Sequence, residues 1–133
     1  MRISPLPVLS TLITQPDATL TADDPVLGAA EMRALRREFP GDGLKVVIAM
    51  FEEEGPLLLE QIGSAAERGD ASALRRAAHA LRGAVANFGA RTLAALCEQI
   101  EAGARGGDLA LVAGPLAQVR TEYARVAHAL QSV

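Results

Sequence analysis

Aromatic side chains are scarce in this 133-residue chain, which holds three Phe, one Tyr and no Trp. Half of the residues are nevertheless apolar, so a core must be built from Leu, Val, Ile and Ala, which suits packed helices. A single cysteine, Cys97, excludes an internal disulfide and a cysteine-rich metal site. It reads as a small buried apolar residue and fits a reducing, cytoplasmic setting. Long hydrophobic runs are missing too. The mildly apolar segment 1–13 is interrupted by Pro5 and Pro7 and falls short of a membrane span, and it is not read as a signal peptide. Basic charge is also lacking: the formal net charge is −3, which argues against a nucleic-acid partner. No stretch alternates strictly with period two, so strands have little support.

What remains is helical periodicity, in a length suited to one domain. Residues 1–22 carry Pro5, Pro7 and Pro16 without a helical period and are expected to form a flexible arm, leaving 23–133 as the folded domain. An aspartate cap at Asp23-Asp24 followed by Pro25 predicts a short helix running to about Glu38, before Pro40 and Gly43. Leu44, Val47, Phe51, Leu58, Ile62 and Ala65 predict a longer helix to Arg68, with a kink at Gly55-Pro56. Gly69 and Asp70 read as a C-terminal glycine and an N-cap, opening a helix that ends at Asn87–Gly89. Leu93, Leu96, Ile100 and Ala104 mark the next helix, closed by Gly106-Gly107 and followed by a second cap, Asp108. Val112, Leu116, Val119, Tyr123, Val126 and Leu130 mark the last, with a bend at Gly114-Pro115. Short connections make neighbours antiparallel. The expected fold is therefore all-α: an antiparallel up-down-up-down four-helix bundle with a short additional N-terminal helix over one end.

One residue in this pattern cannot be core. In the helix after Asp70, the stripe is Leu74, Ala77, Leu81, Ala84, Val85 and Phe88, and at about 100° per residue His79 falls near the centre of the opposite face. Its side is shared by Ser72, Arg75, Arg76, Arg82, Gly83, Ala86 and Asn87, so the imidazole projects from a basic surface. Gly83 costs about 1 kcal/mol relative to alanine in a helix interior. Either it permits close helix packing or is tolerated on a solvated face, or it clears the approach of another macromolecule to the imidazole one turn away.

The segment Ala78–Gly83, with Asn87–Ala90, Leu93, Leu96–Glu98, Ile100 and Glu101, resembles the histidine-containing phosphotransfer (HPt) domains of multistep phosphorelays. The resemblance covers roughly residues 28–131. Members carry an exposed histidine, a basic residue at the third position after it, usually lysine, and glycine at the fourth. Here these are His79, Arg82 and Gly83, the arginine keeping the charge as a planar fork instead of a mobile ammonium. The resemblance implies that His79 accepts a phosphoryl group from a receiver-domain aspartate and passes it to another receiver. The response-regulator receivers would belong, for example, to a hybrid sensor kinase and a soluble regulator, and would supply the acidic pocket and Mg²⁺. This chain would need no cofactor of its own. An exposed imidazole is substantially neutral near pH 7 and can attack without a dedicated base, so no triad is required. Arg82, Arg75 and Arg76 can offset phosphoryl charge, or, for Arg75 and Arg76 above all, form an ordinary solvated helix face, while Gly83, Ala86 and Asn87 border the partner's approach. Ala78, Ala80 and Ala86 either keep the surface low for a partner or serve as plain helix formers.

Three further features weigh against other readings. His128 sits in an echo of the His79 motif, Ala127–Leu130, but Gln131 and Ser132 replace the basic residue and glycine, and a histidine in a last turn suits a helix C-terminus. Glu52–Glu54 occupy consecutive positions that diverge around a helix, which makes a solvated face and not a metal site. No nucleotide-binding loop, metal motif or nucleophile with a positioned base is visible, so no autonomous enzyme is expected. The expectation is a freestanding, monomeric, cytoplasmic phosphocarrier without a membrane segment. The alternative is a phosphate-independent helical adaptor that binds or sequesters a receiver through the same face.

Overall fold

The computed structural model describes residues 26–133, and the expected arm and the Asp23-Asp24-Pro25 cap lie outside them. The elements are α1 (Ala29–Glu38), α2 (Gly43–Arg68), α3 (Ala71–Ala86), α4 (Arg91–Arg105), a 3₁₀ turn (Leu109–Val112) and α5 (Ala113–Leu130). Among the described residues there is no strand. Helix α2 packs on α3, α3 on α4, α4 on α5, and α5 returns to α2, which closes an antiparallel four-helix bundle. The buried apolar side chains, Leu96 apart, form one continuous cluster.

The turn chemistry accounts for the connections. Gly69 ends α2 with φ 68°, its N–H donating to Ala65 and Ala66 carbonyls, and Asp70 then caps α3 by accepting from the Ala73 N–H at 3.0 Å. Asp108 caps the 3₁₀ turn through the Ala110 N–H at 3.2 Å. Helix α1 begins at Ala29, later than the aspartate cap predicted: residues 26–28 are not helical, and Gly28 instead donates its N–H to Phe88 O at 2.9 Å. That bond pins α1 to the α3–α4 connection, where Met32 and Leu35 enter the core.

The stripe predicted for α2 is corrected in detail. On α2 the buried face is Leu44, Ile48, Phe51, Gly55, Leu59, Ile62 and Ala65, while Val47 and Leu58 are only partly buried. The rotation follows from Gly55, where a Cβ would collide with the Tyr123 ring. The missing side chain lets Tyr123 lie against α2 and donate its hydroxyl to Phe51 O at 3.3 Å, and the two rings pack at 5.2 Å. Pro56 is exposed within α2, which continues as one helix past it, and the carbonyl it frees belongs to exposed Glu52. Gly114 and Pro115 fall in the first turn of α5, where a missing N–H costs nothing. The expected bend is replaced by the separate 3₁₀ turn before them.

Candidate functional site

His79 stands in the middle of α3 with a side chain 67% exposed, which the stripe beneath it dictates: Leu74, Ala77, Leu81 and Val85 are buried, and Ala84 is half-buried. Ala78 is a correction. It is fully buried toward α4 and does not contribute to the surface beside the imidazole, whereas Ala80 and Ala86 are exposed.

The ring is not alone. Glu101, on α4, is buried to 2% exposure, and its Oε1 lies 3.0 Å from Nδ1 of His79. Arg82 donates through Nε to Oε2 of the same carboxylate, and its Nη2 lies 3.5 Å from Oε1 and 3.2 Å from His79 Nδ1. Arg105 Nη2 approaches Oε1 at 3.9 Å. Burial pushes the Glu101 carboxyl up, but hydrogen bonds from Arg82 and His79, with the Arg82 charge, outweigh it and hold the group below its ordinary value. Glu101 is therefore an ionised acceptor. Nδ1 must carry the proton it donates to Oε1, and the longer Arg82 contact to Nδ1 yields to the fork on the carboxylate. The lone pair is left on Nε2. Arg82 in turn has its own ionisation pushed up by the hydrogen bond to Glu101 and by that carboxylate's charge.

This carboxylate is a partner of the ring that the helical period of α3 alone does not reveal. The sequence carried a signal for it, since Glu101 sits four residues after Cys97 and three before Ala104, inside the apolar stripe of α4. A charge in register with a buried stripe needs a partner, and the partner is the pair His79 and Arg82.

The other predicted site residues separate. Arg75 is exposed on the His79 face. Arg76 is exposed and donates to Ser72 Oγ at 2.6 Å, which turns it toward the α2–α3 groove. Gly83 is exposed and a Cβ there would meet nothing within 4 Å, so helix packing does not explain it. Ala86 and Asn87 are exposed at the end of α3, Asn87 as its C-cap. His128 is exposed in the last turn of α5, away from this cluster in the chain's topology. Glu52–Glu54 are all exposed, and among the described residues no group of three or more His, Cys, Asp or Glu is placed to hold a metal ion. Cys97 is fully buried, and burial pushes its thiol up to about 12.

On the α2 side of α3, Leu58, Gln61, Ser64, Ala73, Arg76 and Ala80 line an open groove between the two helices. Helical periodicity places Val46, Met50 and Leu57, each more than half exposed, along the same edge of α2. An apolar edge thus runs next to a basic face, the composition expected of a protein-docking surface. No helix among the described residues is long and apolar enough to cross a membrane.

Comparison with known proteins agrees with this geometry. No curated protein sequence matches. A solved structure, histidine-containing phosphotransfer protein B (HptB) from Pseudomonas aeruginosa PAO1, is similar with a TM-score of 0.76 at 29% sequence identity, covering 81% of this chain and 93% of that one. The family model of the Hpt domain matches residues 46–130, a span that holds His79, Arg82, Gly83 and Glu101. By its sequence, its helical bundle and this match, the chain belongs to the Hpt domain family.

Proposed function

We propose that this protein is a phosphocarrier of a phosphorelay in which Nε2 of His79 accepts a phosphoryl group from the aspartyl phosphate of one response-regulator receiver domain and yields it to the aspartate of another. The observation that carries this reading is the state of the ring: Nδ1 is committed to a buried carboxylate at 3.0 Å, and the other nitrogen stands on a side chain 67% exposed. Fixing one nitrogen selects the tautomer and leaves the other as the nucleophile. Gly83 supports the reading, because open space one turn from the imidazole admits a partner's active-site loop.

Phosphoryl transfer depends on in-line positioning and charge neutralisation more than on covalent help. A rigid mid-helix imidazole provides the first, and Arg82, with Arg75 near it on α3, contributes to the second. The receiver would bring the acidic pocket and Mg²⁺, so the carrier itself acts without catalytic machinery of its own. The apolar edge of α2 and the adjoining groove fit a small, transient interface that could be shared by successive partners.

The test is transfer from a panel of phosphorylated receiver domains to the purified protein and to His79→Gln. Acid-labile, base-stable label on the wild type alone is expected. Receivers that bind both proteins equally while labelling neither would replace the relay by a phosphate-independent adaptor.

A further inference from the structure

Presenting Nε2 requires only a hydrogen-bond acceptor at Nδ1, and a backbone carbonyl would serve. The fold instead buries a full negative charge there, at 2% exposure, and supplies Arg82 to hold it ionised. A formal charge in that position acts on a ring that becomes charged, and the ring becomes charged when it is phosphorylated.

On acceptance, the Nε2 lone pair forms the N–P bond, the P–O bond to the receiver aspartate breaks, and its electron pair stays on that carboxylate. The Nδ1 proton remains, so the ring is now cationic. On delivery, a second receiver's carboxylate oxygen attacks phosphorus, the N–P bond breaks and its electron pair returns to Nε2. With Nδ1 still protonated the leaving group is neutral imidazole. Had that proton been lost, the leaving group would be an imidazolide anion, a far poorer one.

The surroundings otherwise favour losing the proton. Arg75, Arg76 and Arg82 share α3 with the ring, and Arg105 reaches the site from α4. Across the α2–α3 groove the charged side chains are Arg68 and Glu60, and on the exposed side of α4 lies Glu98, whose charge acts on Arg82. Among the described residues only Glu101 places a carboxylate within hydrogen-bond distance of the imidazole.

We propose that Glu101 is a positioning residue for outbound transfer: it retains the Nδ1 proton of phosphorylated His79, so that the phosphoryl group departs from neutral imidazole. This rests on the reading of His79 as the acceptor. Arg82 sets the strength of the hold, because every hydrogen bond it gives the carboxylate weakens the carboxylate's grip on Nδ1.

The experiment uses the full chain phosphorylated with phosphoramidate, a small donor that needs no docking, in wild-type and Glu101→Gln forms. Nitrogen-15 spectra of the ring and discharge to an accepting receiver are followed from pH 6 to 9. The neutral amide can still accept from Nδ1 but holds the proton less firmly. In Glu101→Gln the Nδ1 proton should therefore be lost, and discharge should slow, at a pH lower by about one unit or more, with KM for the receiver unchanged and kcat reduced. Identical ring spectra and pH profiles, with normal transfer, would overturn the proposal and leave the carrier reading standing. Ring spectra that differ as expected, with no receiver accepting from or donating to the wild type, would overturn both. Should Glu101→Gln fail to fold, wild type carries its own reference in His128, which is exposed and makes no ion pair among the described residues. Phospho-His79 should keep its Nδ1 proton to higher pH than phospho-His128, and equal behaviour of the two rings would refute the role of Glu101.

Discussion

Arg82 and His79, one turn apart on α3, converge on the two oxygens of one buried carboxylate, Glu101 of α4. The basic residue of the HPt pattern is thus anchored before any phosphoryl group arrives, and its guanidinium is held in place across the α3–α4 seam. This geometry uses what distinguishes arginine from lysine, a fork able to bond a carboxylate through two nitrogens while keeping a third free.

Replacing Arg82 by lysine should therefore separate charge from geometry. Arg82→Lys is expected to lower the melting temperature, because an ammonium cannot engage the Glu101 carboxylate as a fork, and Arg82→Ala should lower it further by leaving the buried charge with His79 and a distant Arg105. Thermal unfolding by circular dichroism checks the order wild type, lysine, alanine. Equal melting temperatures for all three would show that Glu101 finds its compensation elsewhere.

Gly83→Ala should divide stability from function. A Cβ at this position meets open space, so alanine should stabilise the protein by about 0.5–1 kcal/mol through helix propensity alone. The same methyl stands one turn from the imidazole and should slow transfer from a docked receiver without weakening modification by a small phosphodonor. Chemical denaturation and transfer kinetics on the two proteins supply both readings.

Gly55→Ala should behave in the opposite way. Here a Cβ runs into the Tyr123 ring, and overpacking of this kind costs about 1–3 kcal/mol. The loss is measurable as a reduced denaturant midpoint, and pairing it with Tyr123→Phe tests the geometry, since removal of the hydroxyl should recover part of it.

These two glycines show what could be read from the chain and what could not. His79, Arg82 and Gly83 were legible because a helical period sorts exposed from buried positions without knowledge of neighbours, and the caps at Gly69 and Asp70 because their chemistry is local. The packing role of Gly55 is not legible in the same way, since it depends on a ring sixty-eight positions away that only the closed bundle brings against it. Glu101 was visible as part of the family pattern but not as a partner of His79. Its role depends on the register of α4 against α3, which no single-helix period fixes. The start of α1 was displaced for the same reason, by the Gly28 bond to Phe88.

Acid should weaken the native state through Glu101. Its carboxyl is held below its ordinary value of 4.5 in the folded protein, so its contribution is complete above that value and is lost as pH falls through the lower, folded one. Stability measured by denaturant unfolding should decline on lowering the pH from 5 toward 3, and Glu101→Gln should show a shallower decline over that window. A steeper decline in the variant would contradict the assigned ionisation.

If Glu101 occupies Nδ1, Nε2 of His79 is the acceptor. This is tested most directly by transferring phosphate from a phosphorylated receiver to the nitrogen-15-labelled protein and locating the phosphoryl group by NMR. A single phosphohistidine is expected, at residue 79, substituted on Nε2, with Nδ1 still protonated. Phosphate on Nδ1 of His79, or on His128, would contradict it.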